Sequence, residues 1–217
     1  MLKLYYAPGA CSFVPHVALE MIKAATGDDF ETQIVKLHKG EHHSPEFLAV
    51  NPNGQVPVLV TDGKPLTQVI AICDFLHRRY PNIGLLPSDP AVQAEMLSLF
   101  AWMNNTVHPT FTHVFLPHKF SDNPTTQADL KRFNLIQYRQ LLERMGELVA
   151  KAKPYLFGQK LSVLDIYAVM FLRWGELAGM NPADFPAYKA FVDRVGALPA
   201  VVTALERERL PLHPYKG

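Results

Sequence analysis

Cys11 and Ser12 are the side chains best placed for chemistry, because they fall where a strand gives way to a helix. Residues 2–6 form a short apolar and aromatic run, and Pro8-Gly9 signals a turn. From Val14 the period changes: Val14, Val17, Ala18, Met21, Ile22 and Ala25 share one helical face. The pair therefore sits at a helix N-terminus, where unpaired N–H groups and the helix dipole favour negative charge. A thiol so placed is expected to have a lowered pKa and to act as a nucleophile or a thiol-binding group. The same residues also fit a small buried cysteine followed by a serine that only caps the helix. Nine histidines invite a metal, but they are scattered, and His108, His113 and His118 recur every five residues, off a common helix face. Without a cysteine partner set or an HExxH pattern, no metal site is expected.

The bulk properties narrow the setting of that thiol. A chain of 217 residues can hold one large domain or two small ones, and 48% hydrophobic with 19% charged residues describes a soluble folded protein. A net charge of +1 without a Lys/Arg block gives no reason to expect nucleic acid. No apolar run approaches a membrane span, and no basic segment with an apolar h-region opens the chain. Two cysteines make no disulfide framework, so the cytoplasm is the expected location.

Stepping along the chain, residues 1–83 mix strands and helices. The run 30–37 has β character and alternates from Thr32 to Leu37, which makes strand, helix and strand a parallel βαβ unit. After a polar loop and the turn cluster 51–54, residues 55–60 form a strand that begins near Pro57, where a missing N–H is tolerated. Asp62-Gly63 signals a hairpin into residues 64–66, and Thr67 is expected to cap the next helix. Residues 84–90 are the linker within a stretch rich in breakers, and from residue 91 to 217 every signal is helical. Residues 92–107 read as one long helix that continues past Pro109 with a kink. Leu135, Tyr138, Leu142, Met145 and Val149 mark one face of a second. Ser162-Val163-Leu164-Asp165 is a capping box before an entirely apolar run, 166–172, which makes this helix the buried hub.

A βαβ-ββα unit, a proline opening its third strand and an all-helical second domain together resemble a glutathione transferase, most closely the bacterial beta class. The resemblance rests on residues 5–12, on Asn51-Pro52-Asn53-Gly54-Gln55-Val56-Pro57, on residues 66–72, and on Ser162-x-x-Asp165 preceded by Gly158-Gln159. It implies a thioredoxin-like glutathione-binding domain over 1–83 and an all-helical domain over 91–217 that supplies the electrophile pocket. In such a protein Pro57 follows a cis bond and exposes the Val56 backbone, flanked by Gln55, to the cysteinyl unit of glutathione. The resemblance further implies that Cys11 contacts the glutathione sulfur, with Ser12 as the alternative hydroxyl donor. It puts His108 and Asn105 near the ligand cleft, Lys39 within reach of the glycyl carboxylate, and two subunits in a homodimer.

The chain departs from the family at two places. Gln68 and Val69 stand where an acidic residue and a Ser, Thr or Gly normally hold the γ-glutamyl group. Loss of one charge-assisted contact there costs on the order of 1.5–3 kcal/mol unless another group replaces it. Pro109 stands where a basic residue is common, and it is expected to bend its helix. The implied activity is addition of the glutathione thiolate to a hydrophobic electrophile, in a pocket with Phe13, Phe111 and Phe115 as candidate lining, or thiol–disulfide exchange through Cys11. The alternative is a non-catalytic binding protein of the same fold. Nucleic acid, membrane and metal are not expected partners.

Overall fold

The first strand, β1 (Leu2–Tyr6), alternates buried Leu2, Leu4 and Tyr6 with half-buried Lys3 and Tyr5, as a strand covered more fully on one face should. It is central in a four-stranded sheet ordered β2-β1-β3-β4, with β2 (Phe30–Ile34), β3 (Val58–Thr61) and β4 (Lys64–Thr67). β1 runs parallel to β2 and antiparallel to β3, and β3 is antiparallel to β4. The helix α1 (Phe13–Thr26) makes the parallel crossover and buries Phe13, Val14, Val17 and Ala18. The computed structural model describes residues 1–216.

Three boundaries differ from the sequence expectation. β2 ends at Ile34 rather than Leu37 because the next free N–H, on Lys36, goes to the Glu41 carboxylate at 2.8 Å and the chain turns into short 3-10 segments, Leu37–Lys39 and Glu41–His43. The α2 turn (Pro45–Leu48) follows. Residues 55–57 precede β3 rather than opening it, since the Gln55 carbonyl accepts from the Asn51 side chain at 2.7 Å. Thr67 is the last residue of β4, paired with Val58, and does not cap α3 (Val69–Arg79). Gln68 occupies that place with φ at 75°, a left-handed backbone unusual for a residue with a side chain.

Past the 3-10 turn Pro81–Ile83, the elements among the described residues are helical, with one isolated bridge between Tyr155 and Gly158. The helix α4 (Pro90–Trp102) passes through a π turn, Met103–Val107, into α5 (His108–Phe115). In the π turn the His108 N–H reaches back five residues to the Met103 carbonyl, and the wider turn takes in Pro109, which has no N–H to give. The 27-residue α6 (Pro124–Ala150) buries Tyr138, Leu142, Met145 and Val149, the face its spacing predicted. At the centre is α7 (Val163–Leu177), buried from Val163 to Glu176. Tyr138 and Tyr188 donate their hydroxyls to the Phe171 and Ala168 carbonyls at 2.8 and 2.6 Å, so α6 and α8 (Pro186–Gly196) are both bonded to it. The last helix, α9 (Pro199–Glu208), packs back against α1. The result is a small mixed sheet with its helices followed by a helical domain, the expected fold class.

Candidate active site

The turn that carries the cysteine is held from the far end of the chain. Gly9, at φ 74°, donates its N–H to Glu208 Oε2 at 2.9 Å and accepts from Trp174 Nε1 at 2.8 Å through its carbonyl. The other Glu208 oxygen lies 2.8 Å from His16 Nδ1, so α9 and α7 together position the first residues of α1. A buried indole N–H and a buried carboxylate both find partners in the backbone of this one residue. Glu208 and Trp174 lie about 165–199 residues from Gly9 in sequence, and no local signal pairs them with it.

Cys11 is buried, and its Sγ donates to the Val56 carbonyl at 3.7 Å. Burial pushes its thiol up to about 12, outweighing the backbone N–H groups of Cys11 and Ser12 and the Lys119 ammonium, which pull the other way. The expectation of a lowered pKa is therefore corrected. The helix start acts as anticipated, but desolvation of a thiolate in a closed pocket is the larger effect. The group is a thiol donor, not a standing nucleophile.

Ser12 is turned inward. Its hydroxyl is fully buried, donates to the Ala7 carbonyl and accepts from the Ala7 N–H, both at 3.2 Å, and makes no cap bond to α1. Its one donor is used on Ala7 and the hydroxyl is fully buried, so the two neighbouring candidates have different partners, Ala7 for Ser12 and Val56 for Cys11.

The Val56-Pro57 peptide is cis, as the resemblance implied. The β1–β3 ladder runs over Lys3–Tyr5 and Val58–Val60, so half-buried Val56 lies beyond its end. Gln55 and Lys39 are exposed. Gln68 is exposed and makes no cap bond, while Val69 is buried and begins α3 with its N–H directed out of the helix start.

On the helical side, His108 is half-buried with Nδ1 2.8 Å from the Tyr167 hydroxyl and its ring 4.8 Å from Trp174. Burial first, and the Lys119 charge second, push its imidazole down to about 4, so it is neutral at physiological pH. Asn105 is exposed, and it is Asn104 whose Oδ1 approaches the Tyr167 hydroxyl, at 3.4 Å. The π turn explains the exchange: its wider pitch puts the residue four before His108, rather than three, on the same face. Phe111 stacks on Trp174 at 4.9 Å and Phe115 stacks on Phe111 at 5.4 Å, which makes an aromatic wall. Phe13, a candidate for the pocket lining, is fully buried in the core. Tyr167 lay inside the apolar run 166–172 that identified α7, and Trp174 just beyond it, so neither stood out as a site residue in the sequence.

Among the described residues, no helix is long and apolar enough to cross a membrane. Residues 1–78 match the family described as Glutathione S-transferase, N-terminal domain, and residues 103–199 match Glutathione S-transferase, C-terminal domain. The chain is 31% identical to a glutathione S-transferase of Escherichia coli O157:H7, over 96% of this chain and all of that one. It superposes on a glutathione transferase homologue from Sulfitobacter with bound glutathione at a TM-score of 0.87 and 25% identity, covering 97% and 99% of the two chains. It is also similar to a beta class glutathione S-transferase of Sphingomonas chungbukensis, with a TM-score of 0.82, 30% identity, and 96% and 100% of the chains covered.

Proposed function

Since the chain belongs to the glutathione transferase family, we propose that it binds glutathione along Val56 and adds the glutathione sulfur to a hydrophobic electrophile. The observation that carries this reading is the Cys11 thiol donating to the Val56 carbonyl, 3.7 Å away, at the open end of the β1–β3 ladder. An extended cysteinyl unit pairing with the Val56 backbone continues the sheet and brings its sulfur to Cys11. Because burial keeps Cys11 protonated, its role is to donate a hydrogen bond to a glutathione thiolate. The same protonation disfavours thiol–disulfide exchange, which needs a protein thiolate.

The remaining contacts follow from placement. The Gln68 amide oxygen accepts from the γ-glutamyl ammonium, and the Val69 N–H with the start of α3 takes its carboxylate. Lys39 takes the glycyl carboxylate, and Gln55 flanks the peptide. Neutral His108, oriented by Tyr167, borders the electrophile pocket with Phe111 and Phe115. In this reading residues 1–83 bind glutathione, 84–90 connect, and 91–217 provide the pocket, in a cytoplasmic homodimer.

Calorimetric titration of the reduced protein with glutathione, followed by conjugation assays, tests the reading. Saturable binding at or below about millimolar concentration with turnover supports it. Binding without turnover across several electrophiles favours the carrier alternative, for which the neutral Gln68 and the hydroxyl-free Val69 speak. Absence of binding contradicts the conjugation reading and leaves a binding protein of the same fold for another ligand or a protein partner.

A further inference from the structure

The segment after α9 is tied down by a histidine that the reading above does not use. Arg209 turns the chain at φ 56°, and the Pro211 carbonyl then accepts from Arg173 Nε of α7 at 2.9 Å. Leu212 packs on α8 at Gly196, which leaves free the room that a Cβ would take from the leucine methyls. His213 follows, with Nδ1 2.6 Å from Glu176 Oε1 of α7 and Nε2 2.7 Å from Asp193 Oδ1 of α8. The Tyr215 N–H donates to the second Glu176 oxygen at 3.1 Å. Ionised carboxylates only accept, and a neutral imidazole has a single N–H. Both bonds of His213 therefore exist together only in the imidazolium.

The two carboxylates are unequal. The Glu176 side chain is fully buried, and His213 and Tyr215 of this segment supply both of its hydrogen bonds. Asp193 is 45% exposed, and its other oxygen takes Lys189 Nζ at 2.8 Å. The remaining charged groups of this corner are Arg173, faced by Glu176 and by Glu208 of α9, Arg194 of α8, turned to the Pro154 carbonyl, and exposed Lys216. A buried carboxylate that loses a donor keeps its desolvation cost, whereas an exposed one recovers water. When the ring gives up one proton, the other therefore belongs on Nδ1, facing Glu176. Nε2 then turns a lone pair on Asp193, and acceptor meets acceptor. We propose that His213 is a pH-operated latch: the imidazolium ties the segment to α7 and α8 at once, and the neutral ring keeps α7 and releases α8. Arg173 and Glu176 flank Trp174, whose indole holds Gly9, so the side that stays anchored backs the turn that carries Cys11. The side that opens is Leu212 on α8.

Nitrogen-15 NMR of the histidine rings in the full chain tests it, at about pH 5.5 and about pH 9, on either side of the imidazole range. Relaxation of the Leu212 methyls is read in the same samples. In the acid sample both His213 nitrogens are expected to carry protons. In the basic sample Nδ1 alone does, the tautomer that free histidine disfavours, and the Leu212 methyls gain mobility while those of Leu172 in the core do not. In Asp193→Asn the amide offers a donor to a bare Nε2 and an acceptor to a protonated one, so the pH response of Leu212 is lost. It is lost in His213→Gln as well, because no ring is left to titrate. A proton on Nε2 alone in the basic sample overturns the inference, since Glu176 would then be the partner released. So does a doubly protonated ring in both samples, a neutral ring in the acid one, unchanged Leu212 methyls, or a Leu212 response that survives in His213→Gln. Every reading is taken without glutathione, so the latch stands or falls apart from the conjugation proposed above.

Discussion

The start of α7 and the cleft where α1, α3 and α5 begin are both places where polar groups meet a buried core, and they are finished in opposite ways. At α7 the Asp165 carboxylate accepts from the Ser162 N–H and the Leu156 N–H, each at 2.8 Å, and from the Ser162 hydroxyl at 2.6 Å. These three donors are all answered by one carboxylate of the chain itself. In the cleft, α3 begins at a Gln68 that makes no cap bond, and Val56 lies past the end of its ladder. A closed helix start serves the fold, and an open one is left for a ligand.

The sharpest way to break this contrast is Asp165→Ala, which strands three donors, two of them on Ser162. A loss of about 3 kcal/mol or more is expected in denaturant unfolding, with glutathione affinity in the folded fraction unaltered. A variant of unchanged stability that no longer binds glutathione would make the two regions one.

His108 gives the next effect. Its imidazole is pushed from 6.5 to about 4, so the unfolded chain takes up a proton before the folded one as pH falls. The contribution to stability is complete above 6.5 and lost as pH falls toward 4, on the order of 3 kcal/mol. The acid limb of stability against pH should flatten by that amount in His108→Gln. An identical limb in the variant would show that the neutral imidazole is not held by the fold.

Gln68→Glu sharpens the contrast from the other side, by returning a charge to the open helix start. Glutathione should bind about tenfold tighter, with the melting temperature moving little because the side chain is exposed. A tenfold weaker complex would place the γ-glutamyl ammonium elsewhere.

Most of the fold was legible because it is written in local patterns: the alternation of β1, the 3.6-residue spacing of α1 and α6, the Ser162–Asp165 box. The positions of Cys11 and Val56 were legible too, through motif resemblance. Three things were not. The sign of the Cys11 shift depends on how completely the folded pocket excludes water, which spacing does not reveal. The inward turn of Ser12 depends on a bond to Ala7 in the same tight turn. The π turn, which replaces Asn105 by Asn104 beside Tyr167, is a register change that the apolar pattern of residues 92–107 does not signal.

The central claim is that the sulfur ionised in this site belongs to glutathione and that Cys11 stays a thiol. Ultraviolet thiolate absorbance at neutral pH tests it directly, on wild type and Cys11→Ala, before and after saturation with glutathione. The account predicts no thiolate band in the free protein, a band on adding glutathione, and a smaller one in Cys11→Ala. A band already present in free wild type and missing in Cys11→Ala would contradict it, because the standing nucleophile would then be Cys11 itself.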